Sequence, residues 1–298
     1  MSLDAPDWEN QRAFLAVLRH GSLSAAARAL DVAQPTVRHR LAALERSVGT
    51  ALFTRSPSGL VPTEAARQLG PHVEAMAAAA DAFARAASAE AGAASGTVRI
   101  TASEVIGAEV LPPLLASLRR DHPDLAVELH LSDRTEDLHA QKADIAVRMV
   151  QPSQAALVVK RVGSIKLGFY ATADYLQRHG TPATVADLAR FGLIGPDREP
   201  QDLRAFRNAG LDADAQTWAL RTDSHLAHLP AILAGIGIGV CQVAIARRHP
   251  DLQRVLSDYA PGLETWIAMH EDLRHVARVR VTFDHLAAGL RHYVATQD

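Results

Sequence analysis

Apolar positions in the first fifty residues recur at helical spacing and stop at turn residues. Over residues 8–20, Phe14, Val17 and Leu18 share one face, and Gly21 supplies a left-handed C-terminal cap. SLSAAARAL follows, with Ser22 or Ser24 as N-cap and Leu23, Ala26, Ala27 and Leu30 turned inward. The small alanines let another helix approach closely. Residues 31–33 turn the chain, and Pro35 opens the next helix at its first position, where the missing N–H costs nothing. Val37, Leu41, Leu44 and Val48 then form one buried stripe, and Gly49 ends the helix.

Arg38 and His39 lie off that stripe and Arg40 flanks it. Two short helices joined by a tight turn, the second exposing polar groups in its first turns, form a helix-turn-helix pattern. In that arrangement the second helix enters the DNA major groove with its N-terminal residues against base edges. Arginine donates twice to guanine there, and histidine or threonine reads single groups. ALFTRSPSGLVPT has short β-type runs around a turn at 56–59, which predicts a β wing with Arg55 near its tip, well placed for a phosphate. The candidate DNA-reading set is Ser22, Ser24, Gln34, Pro35, Thr36, Arg38, His39, Arg40 and Arg55, in a domain over 1–62. A three-helix structural bundle with a solvated charged face would give the same pattern.

Thr63 caps a further helix predicted over 63–91. Leu69, Val73, Met76 and Phe83, with Ala80 and Ala87, advance in alternating steps of four and three, a heptad seam suited to dimerisation with a second copy. The alternative is a helix packed on its own chain. Pro71 is expected to kink it. AGAASG reads as small-residue linker, with the hinge at 92–96.

From Thr97 the periodicity changes to strands alternating with helices. VRIT, AVELHL and ADIAVR read as strands, with helices around Leu111–Leu118 and in EDLHAQ. LGFYAT, FGLIG, WALRT, IGVCQ and WIAMH read as further strands, with helices in VADLARF and over 224–234. A last helix puts Val279, Phe283, Leu286, Leu290 and Tyr293 on one face. The alternation predicts an α/β domain over 97–298 with a mostly parallel sheet and helices on both faces. It divides into two lobes: subdomain I at about 97–165 and 266–298, and subdomain II at about 166–265. A ligand cleft between them would be lined by strand C-termini and by helix N-termini, which favour anionic groups.

Charge changes this picture locally. The formal net charge of the 298-residue chain is -2, yet Arg38, Arg40, Arg46, Arg55 and Arg67 outnumber Glu45 and Glu64 in the predicted wing region. Cys241 is the single cysteine, which excludes an intrachain disulfide and a CxxC site and suits a reducing compartment. The acids in MSLDAPDWEN are unlike a signal peptide, and no apolar run is long enough to span a membrane, so the expected location is cytoplasmic.

Enzyme motifs are missing: there is no GxSxG, HExxH or phosphate loop. GIGIG, residues 235–239, follows a predicted helix and reads as a cap and strand entry. His225 and His228 stand three apart, a spacing metals use, but no third ligand is in view. They are read as structural or solvent-facing, and no metal or cofactor is expected. Cys241 reads as a small buried residue.

SLSAAARALDVAQPTVRHRLAALERSVGTALFTR with the following TEAA, and later ADIAVR and AGIGIGV, resemble the LysR-type transcriptional regulators over nearly the whole chain. The resemblance implies a winged helix-turn-helix, a linker helix and two α/β subdomains like those of periplasmic solute-binding proteins. It implies homodimers assembling into homotetramers on double-stranded promoter DNA, under control of a small-molecule effector, with RNA polymerase as a further candidate partner. Arg38 stands where the family usually has Ser, and Ala66 where Gly often follows TEA.

By the same resemblance the effector touches Thr101, Ser103 and Glu104 after the first sheet strand. Ser132 and Asp133 after the second face it, as do Thr222, Asp223 and Ser224. Arg148 is the candidate for gripping a carboxylate of an organic-anion effector. Plainer roles stay open: Ser103 and Ser224 as helix caps, and Arg148 paired with Asp144. Two other readings compete with a ligand-responsive regulator. One is a solute-binding or enzymatic two-lobed module with an accessory N-terminal domain; the other is an architectural DNA binder that ignores small molecules.

Overall fold

The computed structural model describes residues 7–56, 59–87, 94–133, 143–152, 157–208, 210–211 and 218–296. The wing tip at 57–58, the helix end beyond 87, residues 91–93 of the predicted linker and the EDLHAQ helix lie outside the described residues. The described residues form two compact units, one up to residue 87 and the other from residue 94 onward.

In the first unit α1 (Trp8–His20), α2 (Leu23–Leu30) and α3 (Gln34–Val48) precede a hairpin of β1 (Phe53–Ser56) and β2 (Gly59–Pro62), then α4 (Glu64–Ala87). Ser22 is the N-cap of α2, its hydroxyl accepting from Ala25 N at 3.2 Å. Helix α3 begins one residue earlier than expected, so Pro35 occupies its second position, which equally lacks an intrahelical partner for an N–H. Val37, Leu41 and Leu44 are buried, joining Phe14, Leu15, Val17, Ala26 and Ala27 in the core.

Glu45 closes the α3–β1 turn: its carboxylate accepts the main-chain N–H of Leu52 at 2.7 Å. Thr63 fastens the other end, donating to Leu52 O at 3.1 Å and accepting from Ala66 N at 3.3 Å as the cap of α4. The wing is anchored to α1 by Leu60 N, which donates to Gly21 O at 3.1 Å.

The second unit is built on a sheet of order β10-β6-β11-β5-β3-β4, with β9 also paired to β6. Its elements are β3 (Gly96–Ala102), α5 (Leu111–Asp121), β4 (Leu125–Leu131), β5 (Ile145–Arg148), β6 (Leu157–Thr172), α6 (Ala173–His179), β7 (Leu193–Gly195) and α7 (Pro200–Asn208). There follow β8 (Trp218–Arg221), α8 (His225–Leu233), β9 (Gly239–Gln242), α9 (Val243–Ala246), β10 (Leu252–Val255), β11 (Gly262–His270) and α10 (Ala277–Ala295).

Among the described residues, parallel pairing joins β3 with β4, β3 with β5 and β7 with β8, and a single parallel bridge links Leu193 to Ile238. The middle of the sheet is antiparallel, which departs from the mostly parallel expectation. The reason is β6. LGFYAT is only the end of a sixteen-residue strand whose first part pairs with β11 and whose last part pairs with β9 and β10. β6 runs antiparallel to β9, β10 and β11, although helices lie between it and each of them in sequence. VADLARF forms a 3₁₀ turn, Val185–Arg190, fixed by a capping box between Thr184 and Asp187.

Helix α10 covers one face with Val279, Phe283, Leu286 and Leu290, all buried, and Tyr293 donates to Gln242 Oε1 at 2.7 Å. Each such aliphatic or aromatic side chain contributes about 1.5–3 kcal/mol when fully buried. No helix among the described residues is long and apolar enough to cross a membrane.

Candidate functional site

The start of α3 is a polar, outward surface. Gln34, Pro35, Arg38 and His39 are exposed and Thr36 is half-buried. The opposite face of the same turns carries Val37 and Leu41 into the core, so burial of the stripe fixes which side the cations present. Ser24 and Arg55 are exposed as well, the latter on β1 opposite Leu60. Ser22 is engaged as a cap.

Arg40 differs from its neighbours. Its guanidinium lies 2.9 Å from Glu9, which also accepts from Arg12 at 2.7 Å. The Arg12 hydrogen bond, opposed by burial and helped by the charges of Arg12 and Arg40, holds the Glu9 carboxyl below its usual range. Arg40 therefore braces α3 against α1. Arg67, part of the local positive excess, is tied to Glu64 and to Pro62 O.

Of the residues assigned to a dimer seam, Leu69 and Val73 pack within this unit's own core, beside Phe14, Leu15 and Leu44. Met76 is 44% exposed and Phe83 76%. The heptad spacing is the same throughout; the turns of α4 that carry Leu69 and Val73 lie over α1.

In the second unit the loops after β3 and β4 converge on the N-terminus of α8. Glu104 N donates to Asp133 Oδ1 at 3.1 Å, and Ser132 N to Ala102 O at 2.9 Å. Thr101 and Ser103 are buried. Arg148 is also buried, 3% exposed, and donates to Ser132 O at 3.0 Å and Thr101 Oγ1 at 2.8 Å. Asp144 accepts the main-chain N–H of Arg99 at 2.9 Å. Arg148 thus fastens loop backbone at the ends of the strands.

Asp223 is similarly occupied. Its Oδ1 accepts from the backbone of Asp197, Arg198 and Glu199 at 2.8–3.0 Å, closing the loop ahead of α7. The Arg198 and Glu199 N–H groups do most to hold its carboxyl below the usual range. Thr222 Oγ1 accepts from Ser224 N at 3.1 Å, while Ser224 stands at the N-cap of α8 with no side-chain cap bond.

The histidine set aside as structural joins this site. His225 Nδ1 lies 2.8 Å from Asp133 Oδ2, and its Nε2 lies 2.9 Å from Asp202 Oδ2 on α7. The hydrogen bonds to Asp133 and Asp202, opposed by burial, push the imidazole up to about 10. Burial acts to raise Asp133, but its bond and charge interaction with His225 and the Glu104 and Ser103 hydrogen bonds outweigh it and leave it lowered. His228 turns to Thr222 O at 3.3 Å, and burial lowers it.

Glu104, Asp133 and His225 each bring one donor atom within 4.8 Å of the others. Asp202 was not foreseen. It and Asp133 flank His225 at sequence separations of 23 and 92, so no local spacing signals the bridge.

A small helical unit with an exposed cationic helix start and a wing, followed by an α/β unit with a polar loop cluster, defines a two-part DNA-binding regulator. Comparison with known proteins gives the family. Residues 8–67 match the bacterial regulatory helix-turn-helix protein, lysR family, and residues 91–291 the LysR substrate binding domain. The chain belongs to the LysR family of transcriptional regulators, with a helix-turn-helix DNA-binding domain and an effector-binding domain; the family is not enzymatic.

Among its relatives is a probable HTH-type transcriptional regulator, LtrA, of Klebsiella pneumoniae, 29% identical over 92% of each chain. The Mau operon transcriptional activator of Paracoccus denitrificans is 32% identical, over 67% of this chain and 68% of its own. Full-length CbnR complexed with its target DNA has the same fold, with TM-score 0.66 and 19% identity over 95% of this chain and 99% of that one.

Proposed function

We propose that α3 lies in the major groove with Arg38 and His39 against base edges, Gln34, Pro35, Thr36 and Ser24 beside them, and Arg55 on a flanking phosphate. Two copies pair along the outer part of α4, at Met76 and Phe83, and read a dyad-symmetric promoter site; dimers assemble into tetramers that contact RNA polymerase, in the cytoplasm. A small-molecule effector meets the loops carrying Ser103, Glu104, Ser132, Asp133 and Ser224, held in place from behind by Thr101, Arg148, Thr222 and Asp223. It shifts the regulator by binding one arrangement of the lobes better than another.

One observation carries the DNA reading. Val37, Leu41 and Leu44 fix α3 by one face while Arg38 and His39 stand exposed on the other. The test is selection of bound duplexes from a random pool by wild type and Arg38→Ala. A symmetric site that loses one specified position in the variant, with about 1–3 kcal/mol less affinity, supports the reading. Identical selected sites from both proteins would show that α3 is not the reading element.

A further inference from the structure

We propose that Glu104, Asp133 and His225 form a binding site for a divalent transition-metal ion in the effector-binding unit. The inference deepens the effector reading, on which any regulatory meaning of the ion rests; the ion site itself stands on geometry.

The three residues come from separate elements: the loop after β3, the loop after β4 and the first turn of α8. The fold nevertheless brings one donor atom of each within 4.8 Å of the others. Donors bonded to one ion at about 2.0–2.2 Å stand roughly 3–4.5 Å apart, so little adjustment separates this arrangement from a coordination sphere.

A second observation points the same way. Glu104 Oε2 is closed to solvent and has no hydrogen-bond partner among the described residues. A carboxylate oxygen left so is costly unless a donor or a cation meets it. It belongs to the residue whose main-chain N–H holds Asp133 Oδ1 at 3.1 Å, which leaves Asp133 Oδ2 directed at His225 Nδ1.

Behind the imidazole, Asp202 Oδ2 lies 2.9 Å from Nε2. A carboxylate on the far nitrogen of a ligating histidine fixes its tautomer and raises its basicity, the arrangement that supports metal-bound imidazole in many proteins. For Nδ1 to ligate, the ion displaces the proton that Nδ1 shares with Asp133 Oδ2 at 2.8 Å, while Nε2–H stays on Asp202. Two carboxylate oxygens and one imidazole nitrogen, without a thiolate, select manganese, iron, cobalt, nickel or zinc in the divalent state over Cu(I). Three protein ligands leave further positions for water or for an effector donor.

The test uses the full-length chain, freed of metal by a chelator and titrated calorimetrically with MnCl₂ and, separately, ZnCl₂. The expected result is saturable uptake of one ion per chain, weakened roughly tenfold or more in Glu104→Gln and in Asp133→Asn. Circular dichroism of the metal-free variants checks that they fold as wild type does. Cobalt(II) absorption, altered in His225→Ala, reports the nitrogen ligand directly. Absence of saturable uptake, or uptake unchanged in Glu104→Gln and Asp133→Asn and a cobalt spectrum unchanged in His225→Ala, would overturn the site. DNA binding of the same metal-free wild type is measured in parallel. If it binds DNA but no ion, the ion site alone fails; if it binds the ion but no DNA, the DNA reading alone fails.

Discussion

Nη2 of Arg148 donates to Thr101 Oγ1 at 2.8 Å, between two residues almost closed to solvent. Arg148 ends β5, Thr101 lies in β3, and the second bond of the guanidinium goes to Ser132, just after β4. One side chain thus ties together the ends of three neighbouring parallel strands. Arg148→Met should destabilise the effector-binding unit by about 2–4 kcal/mol, because the acceptors it leaves behind are buried. Urea unfolding of the full-length protein reads this. Arg148→Lys should recover only part, since an ammonium lacks the planar fork. Near-wild-type stability of the methionine variant would mean that the bonds are dispensable.

In helix α4, Leu69 and Val73 pack in their own unit's core while Met76 and Phe83 are exposed. Val73→Ala should lower the stability of the N-terminal unit by about 1–3 kcal/mol, as loss of buried methyl groups does. Phe83→Glu should leave folding alone and shift sedimentation toward the monomer. If Phe83→Glu sediments as wild type does, the subunits meet elsewhere.

Arg55 is exposed on the wing. Arg55→Ala should weaken binding evenly across DNA sequences and reduce the slope of log affinity against log salt by about one. Titrations at several salt concentrations measure it; a change of sequence preference instead would move Arg55 to a base edge.

Gly59 opens the second wing strand with φ +125°, and a Cβ there would come within 2.9 Å of Gly21 O. Gly59→Ala should cost about 1–3 kcal/mol through this strain and loosen the bond from Leu60 to Gly21. Thermal unfolding together with DNA affinity checks it, and both are expected to fall.

Cys241 is buried, and burial pushes its thiol up to about 12. The folded chain therefore keeps a proton that the unfolded chain gives up above its ordinary value of 9.0. Its contribution to stability is whole below that point and declines as pH rises from there toward 12. At neutral or mildly alkaline pH the thiol should be inert to alkylating reagents until the protein is denatured. Rapid labelling of native protein would contradict this.

Much of the N-terminal unit was legible because its contacts are local. The Val37–Leu41–Leu44 stripe, the cap at Ser22 and the glycine after α1 are each set by residues within one or two turns. The same holds for α10, whose buried face follows from a single period. What escaped was decided over long distances. Nothing in VVKRVGSIK marks it as strand, since its burial comes from β11, a hundred residues on. The bonds of Arg148 to Thr101 and Ser132 were not visible either, because they join residues 47 and 16 positions apart. His225 and His228 drew notice as a pair, but their separation on the helix said nothing of Asp133 or Asp202. Leu69 and Val73 share their period with Met76 and Phe83; only the position of α1 tells them apart.

Strand β6 has a further mechanical meaning. It is one uninterrupted run of sixteen residues, roughly 50 Å of extended chain. It is shared by the ladder to β11 and by the ladders to β9 and β10. The returning strand β11 breaks register between Thr265 and Trp266, opposite Gly163, whose backbone lies against Val294 of α10. Through β6 the ladder to β11 and the ladders to β9 and β10 hang on one continuous backbone, with α10 set against its middle at Gly163.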